Sequence, residues 1–348
     1  MSKSKFNRFC IPGLLLTVLI AGCSDADKNS GGPTGPLSPP TVLSVLPAMA
    51  STTACPTTLV SVTFSKPMNP ITVNTGTFTV APGISGAIAA DATNTTFTFT
   101  PSAPLLVGTT YTATVTTGVR SDTGVAMAND FVWTFTPMDC PAPIAAGAAC
   151  SFGSLAGSTV TNTGPTAVSG DIGVWPGSAI VGFPPGTLTG TLHTADPVAM
   201  AAQGALTTSY NTAAGAASPP GNALPPDIGG STLPPGVYHT LAQPSLGITG
   251  NLTLDGNGDP NAVFIFQIGS TLTTAAGKVN LIGLAQSKNV IWQVGSSATL
   301  GINTTMSGNI MALASITLNT GATLNGRALA RTGAVTLDTN TVVVPQCP

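Results

Sequence analysis

Charge is what this sequence has least of. It contains no glutamate; its 12 acidic residues are all aspartate, set against 10 lysines and arginines and two histidines. Charged residues make up 6% of the 348, where an ordinary soluble domain has about a quarter. A nucleic-acid binder needs a basic field, and a formal balance of −2 does not supply one. Acid–base and nucleophilic catalysis draw on clustered carboxylate, histidine or cysteine side chains. No Gly-x-Ser-x-Gly elbow, phosphate loop or His-Glu-x-x-His motif occurs, so the chain reads as a non-enzyme. No Cys-x-x-Cys or Cys/His spacing suggests zinc, and no cofactor or metal is expected. Disorder is excluded too, because low charge here accompanies 43% apolar residues. What the chain does have is 40 glycines, 30 prolines and long stretches of threonine, serine and asparagine, a composition for turns and exposed strands.

The N-terminus reads as an address. Lys3, Lys5 and Arg8 precede an apolar run, Ile11 to Ile20, too short to span a bilayer as a helix. The run ends in Ile20-Ala21-Gly22-Cys23, which resembles the bacterial lipobox. That resemblance implies a signal peptide over 1–22, removed before Cys23, which would then carry lipid and hold the chain at a membrane. Ser24 stands where an aspartate would act as an inner-membrane retention signal, so an outer-membrane or cell-surface location is expected. Residues 23–40 are rich in Gly, Pro and Ser and read as a flexible tether. An exported chain meets an oxidising compartment. Cys55 and Cys140 bracket one segment and Cys150 and Cys347 the next; of the three possible pairings, those two bridges are favoured.

Residues 41–138 alternate in short strands. Leu59 to Phe64, Thr96 to Thr100, Tyr111 to Val115 and Phe131 to Phe135 each place apolar residues at every second position, with turn residues between. Phe64-Ser65-Lys66-Pro67-Met68, Phe99-Thr100-Pro101 and Trp133-Thr134-Phe135 resemble the bacterial Ig-like domain of S-layer and surface proteins, which implies a β-sandwich spacer.

Residues 139–348 repeat. Thr-Leu recurs at 271, 299, 317 and 336, at spacings of 28, 18 and 19, a solenoid period with one insertion. Three sides per coil leave about six residues, or roughly 20 Å of strand, for each side. One side is apolar on both strand faces: Val263 to Phe266, Val290 to Trp292, Ile310 to Leu313 and Ala328 to Ala330. Such strands need cover on both faces. The second side carries the Thr-Leu pairs, leucine inward and threonine outward. The third repeats an apolar residue, then Ser, Thr or Asn, then Gly, as in Met306-Ser307-Gly308 and Leu324-Asn325-Gly326. Asn162-Thr163-Gly164 echoes Asn319-Thr320-Gly321, so the N-terminal part should supply coils as well. Asp196-Pro197 reads as an N-cap and first helical position, opening a helix over about 197–214 that stops at Gly215. It has no charge, so it should be largely buried along the apolar side.

Leu155-Ala156-Gly157-Ser158-Thr159-Val160-Thr161-Asn162-Thr163-Gly164, Gly170 to Val174, Leu233 to Tyr238, Phe264 to Gly269, Trp292 to Gly295 and Leu324 to Leu329 together resemble the ice-binding (antifreeze) proteins. The family's fold implies a discontinuous three-sided β-solenoid with one long helix alongside, the N-terminal coil stacking beside C-terminal ones. It also implies that a flat side other than the helix-covered one meets ice, giving thermal hysteresis, inhibition of recrystallisation, or adhesion to ice. The expected fold class is therefore mainly β: an Ig-like sandwich followed by that solenoid.

Strands of neighbouring coils lie about 4.8 Å apart, so outward threonines form a regular ladder, close to an oxygen repeat in ice. Each is stiff at χ1 and offers a hydroxyl and a methyl. The favoured ladder is Thr271, Thr299, Thr317 and Thr336, flanked by Thr273, Asn319 and Thr339, with Asp338 as an imperfection at its edge. By the resemblance, the strands around Val181 and Thr249 join the same side. The third side, with Thr305, Ser307, Thr323 and Asn325, is the competing face. The expected partner is an ice crystal met by a monomer; the alternative is a surface adhesin for polysaccharide or protein. Asp255-Gly256-Asn257-Gly258-Asp259 looks like the start of a calcium loop but has Pro260 at the sixth position and Phe266 at the twelfth, so it reads as a turn. Arg327 and Arg331 are expected to cap or solvate a coil edge.

Overall fold

A computed structural model describes residues 38–240 and 245–347. The expected signal peptide, Cys23 and nearly all of the tether lie outside these residues.

The first strands pair as two four-stranded sheets. One runs Val42–Leu46, Val60–Phe64, Thr96–Pro101, Gly86–Ala90 in spatial order, the other Ser51–Ala54, Phe131–Pro137, Tyr111–Val115, Phe78–Ala81. Alternation decides the packing: Val60, Val62 and Phe64 point inward with Phe97 and Phe99 from one sheet, and Phe78, Tyr111, Trp133 and Phe135 from the other. Each fully buried side chain of this size contributes about 1.5–3 kcal/mol. The outcome is an Ig-like sandwich, closed at one end by the Cys55–Cys140 disulfide.

From Phe152 onward the chain coils. Seven short strands stack in parallel in the order Ala179–Val181, Thr159–Thr163, Val335–Asp338, Ile316–Leu318, Ala298–Leu300, Leu272–Thr274, Leu246–Ile248. This order is spatially discontinuous. The first coil, through Thr159–Thr163, is inserted between the coil that follows it and the last coil of the chain. The apolar side of the solenoid carries Phe264–Ile268, Val290–Val294 and the later halves of Thr305–Ala312 and Thr323–Ala330, then Phe152–Ala156. Both of its faces are apolar and both are covered. Phe264, Phe266, Trp292, Ile310 and Ala328 fill the interior, where Phe266 and Trp292 stack at 4.0 Å. Ile265, Ile291, Met311 and Leu329 face outward onto the helix, against Ala202, Leu206, Tyr210 and Ala213. The third side holds Thr232–Leu233, Leu252–Asp255 and Val279–Ile282, and continues through the first halves of Thr305–Ala312 and Thr323–Ala330.

The helix spans Pro197–Ala214, and Asp196 caps it by accepting a hydrogen bond from the Ala199 amide. It is buried along one face only, through Ala199, Ala202, Gln203, Leu206, Ser209, Tyr210 and Ala213; Val198 and Met200 remain half exposed. The absence of charge therefore overstated its burial, because the outer face is kept polar enough by Thr208, Asn211 and Thr212.

Arg327 takes the capping role of the two expected for it. Its guanidinium is buried at 1% exposure, not solvated. Nε donates to the Cys150 carbonyl (2.8 Å), Nη1 to Asn309 Oδ1 (2.9 Å) and Nη2 to the Pro345 carbonyl (2.8 Å). It thus ties both ends of the solenoid segment, which the Cys150–Cys347 disulfide also joins. Burial lowers its pKa to about 10, so it stays charged at neutral pH. Arg331 lies instead over the Tyr210 ring, 4.6 Å from its centre.

Candidate functional site

The seven-stranded side is regular: parallel strands, one from each coil, paired in register. Leu337, Leu318 and Leu300 pair with one another and point inward, all fully buried. Period-two alternation then sends their neighbours outward. Thr336 pairs with Thr317, Thr317 with Thr299, and Thr299 with Thr273. On the other side Thr336 pairs with Thr161, and Thr161 with Val181. Five threonines on five successive strands therefore form one row, bounded by the exposed Val181 and by Gly247, the partner of Thr273. At about 4.8 Å per strand the row is roughly 19 Å long. None of the five hydroxyls is held by another protein group, and none of the five side chains is charged.

The row differs from the expected one at both ends. Thr271 lies two residues before Thr273, in a flanking row, and its hydroxyl already donates to Ser245 Oγ at 2.8 Å. Leu272 faces Ala298 rather than Leu300, because the longer coil between Leu272 and Ala298 shifts the register by one full pleat. Thr161 was not anticipated. It lacks a following leucine; the inward position is taken by Asn162, whose Nδ2 donates to the Gly164 and Gly182 carbonyls. The alternation Thr159-Val160-Thr161-Asn162-Thr163 was the available signal.

On the other flank, Thr163 pairs with Asp338. Asp338 accepts hydrogen bonds from the Thr320 hydroxyl and, at 3.1 Å, from the Thr339 hydroxyl. These donors, Thr320 foremost, hold its carboxyl below the usual carboxylate range. Asn319 and Thr339 sit at the corner beyond the strands: the Asn319 carbonyl accepts from buried Asn340, and Thr339 turns the chain with φ +54°. Thr249 also lies just past its strand, its amide bonded to Asp227 Oδ1 at 3.0 Å.

The competing side is less regular. Thr305, Thr323 and Thr341 are aligned, but the row meets Lys278 at one end and Ala167 at the other. In its second row Asn325 pairs with Ser307 and with Val343. Ser307 is buried and donates to the Val279 carbonyl, while Val343 is exposed.

Among the described residues, no three His, Cys, Asp or Glu side chains converge as a metal site would need. His193 Nδ1 bonds the helix-capping Asp196 (2.8 Å), and His239 Nδ1 lies 2.6 Å from Ser218 Oγ. The Asp196 carboxyl is held low first by the Ala199 amide and then by His193.

Residues 154–343 match the ice-binding-like family, and residues 37–137 the bacterial Ig-like domain. The chain belongs to the ice-binding-like family. An ice-binding protein of Nostoc sp. (strain HG1) is 52% identical over 197 residues, covering 56% of this chain and 72% of the relative. A solved ice-binding protein from an Antarctic biological consortium shares 49% identity, with a TM-score of 0.57 over 59% of this chain and 92% of its own. The ice-binding protein of the Antarctic ascomycete Antarctomyces psychrotrophicus superposes with a TM-score of 0.55 at 42% identity, over 58% of this chain and 98% of that one. In both, the region alike is about the length of the solenoid and helix, so the ice-binding-like fold here carries an Ig-like sandwich in addition.

Proposed function

We propose that this chain adsorbs to ice through the seven-stranded side, with Thr161, Thr273, Thr299, Thr317 and Thr336 as the central contact row and Val181, Thr271, Asn319, Thr339 and Thr249 at its margins. The observation that carries this reading is the row itself: five in-register threonines, uncharged, with every hydroxyl unengaged. Liquid water gains little from such an array. An ice lattice with a matching repeat gains many weak bonds at once, because stiff χ1 rotamers and a rigid backbone have already lost most of the entropy that binding would cost. Adsorption of this kind needs no cofactor and no turnover.

The test is thermal hysteresis and ice-crystal shape for the wild-type chain beside Thr317→Tyr and Thr323→Tyr. Loss of the freezing gap in the first alone supports the seven-stranded side; loss in the second alone transfers the site to the side of Thr305, Thr323 and Asn325. A folded wild type with no effect on ice would leave adhesion to polysaccharide or protein as the function. The resemblance of Ile20 to Cys23 to a lipobox supports a lipid anchor on Cys23 and display at an outer membrane or cell surface. Palmitate labelling of the expressed chain, abolished by Cys23→Ser, tests the anchor. We read the chain as a monomer, which sedimentation equilibrium tests.

A further inference from the structure

The Asp255–Asp259 segment, set aside as a calcium site, has another use. It turns the corner between Leu252–Asp255 on the third side and Phe264–Ile268 on the helix-covered side. In a three-sided coil that corner is the one opposite the seven-stranded side. Asn257 (φ +52°) and Gly258 (φ +82°) make the turn project, and its tip is seated on the Ig-like sandwich. Asn257 Nδ2 donates to both the carbonyl and the hydroxyl of Thr53, at 3.0 Å each. The Leu59 amide donates to the Gly258 carbonyl at 3.3 Å. The Thr57 hydroxyl donates to Asp259 Oδ2 at 2.6 Å, and Asp259 is fully buried, its other oxygen held by the Asn261 amide. The approach is close: a Cβ on Gly258 would stand 3.3 Å from that of Leu46.

A second attachment lies along the connecting segment. Met138 bonds the Ala54 carbonyl, Cys140 is bridged to Cys55, Ile144 packs with the helix cluster, and the Ala145 carbonyl accepts from Ser209 Oγ at 2.7 Å. Two domains joined by one covalent strand can swing; two domains fixed at two separate places cannot do so without breaking one of them. Leu46 and Leu59 mark the seated end of the sandwich. Thr41 and Ser65, bonded to each other, mark its far end, roughly 20 Å away along the strands.

We infer that the Ig-like sandwich is a fixed stand for the solenoid, clamped at the corner opposite the seven-stranded side by Asp259–Thr57 and Asn257–Thr53, so that this side is left clear and is presented in a set orientation when the chain is held from its N-terminal end. The part about presentation rests on the ice reading above; the rigid joint does not.

The experiment uses the full chain, wild type and an Asn257→Ala/Thr57→Val double variant, with Thr57→Ser as the conservative control that keeps the hydroxyl. Small-angle scattering reads the joint. Retention of ice by beads carrying the chain through its N-terminus reads presentation, and thermal hysteresis in free solution reads ice binding alone. The wild type and Thr57→Ser are expected to scatter as one shape. The double variant should show a larger maximum dimension, a several-fold loss of bead retention and unchanged hysteresis. Wild-type scattering that requires an ensemble of domain positions overturns the stand, as does a double variant with wild-type dimensions. Unchanged bead retention by a loosened double variant overturns its role in presentation. Single-shape scattering without any hysteresis in the wild type overturns the ice reading and leaves the stand supported.

Discussion

Thr161 and Thr273 carry as much of the argument as the threonines that follow a regular spacing. Both lie in the central row, and each is flanked by inward residues that break the Thr-Leu signature, Asn162 in one case and Thr274 in the other. A tyrosine at either position would stand out of the plane by several ångströms. We expect Thr161→Tyr to lose most of the hysteresis, at least five-fold on a measured dose curve, with an unchanged unfolding temperature. Asp338 makes a separate prediction. It and Asp91, Asp196 and Asp227 all have carboxyls lowered by hydrogen bonds, from the Thr320 hydroxyl, the Thr93 hydroxyl, the Ala199 amide and Thr249 respectively. A folded pKa below the unfolded value of about 3.9 means that the unfolded chain binds more protons in acid. The stabilisation is whole above about pH 4 and is lost as pH falls through the folded values. Thermal melts should therefore be flat from pH 7 to about pH 5 and drop below pH 4.

At the scale of elements, the helix is the part whose fate is simplest to state. Leu206 is fully buried between helix and sheet, so Leu206→Ala should cost about 2–5 kcal/mol. Asp196→Ala should cost about 0.5–2 kcal/mol through the lost cap; chemical denaturation measures both. The helix was legible because Asp-Pro and Gly punctuate it and because a doubly apolar sheet needs a cover. The strands of regular coils were legible for a similar reason: an 18- or 19-residue step leaves no room for a register error, and Thr299, Thr317 and Thr336 do pair in line. Where a coil carries an insertion, spacing ceases to specify register. Shifting Leu272 to face Ala298 preserves which residues point outward, since the shift is two residues, yet it exchanges Thr271 for Thr273. The echo of Asn162 in Asn319 misleads by one residue for a different reason. Asn162 stands opposite Leu337, and Leu337 opposite Leu318, so like sequences occupy unlike positions. Arg327 was illegible because its partners, the Cys150 and Pro345 carbonyls, come from the two distant ends of the domain.

For the whole molecule the discontinuous stack has consequences. The strand Thr159–Thr163 has neighbours 20 residues onward and more than 170 onward, so the first coils cannot complete their sheet until the last has formed. Contacts of such sequence separation slow folding. Ending the chain after Gly333 removes Val335–Asp338 and Thr341–Val343, which connect the two parts of the stack on two of its sides, and leaves Phe152–Ala156 paired with Ala328 and Leu329 on the helix-covered side. We expect that truncation to leave Thr159–Thr163 and Ala167–Ser169 open to hydrogen exchange within seconds, whereas the intact chain protects them. The end-to-end tie of Arg327 and Cys150–Cys347 serves the same closure; reduction should lower stability by about 2–5 kcal/mol.

The uncharged central row has a further consequence, set by what freezing does to the surrounding liquid. Growing ice rejects dissolved ions, so the film next to a crystal becomes a concentrated brine. At 1 M salt the screening length shrinks to about 3 Å, and an attachment made from ion pairs would weaken as the front advances. Threonine hydroxyls and methyls have no counter-ions to lose, and excluded salts strengthen the burial of apolar surface. If the row meets ice as proposed, a contact built this way would hold where the liquid is saltiest, which is the place where any crystal meets it.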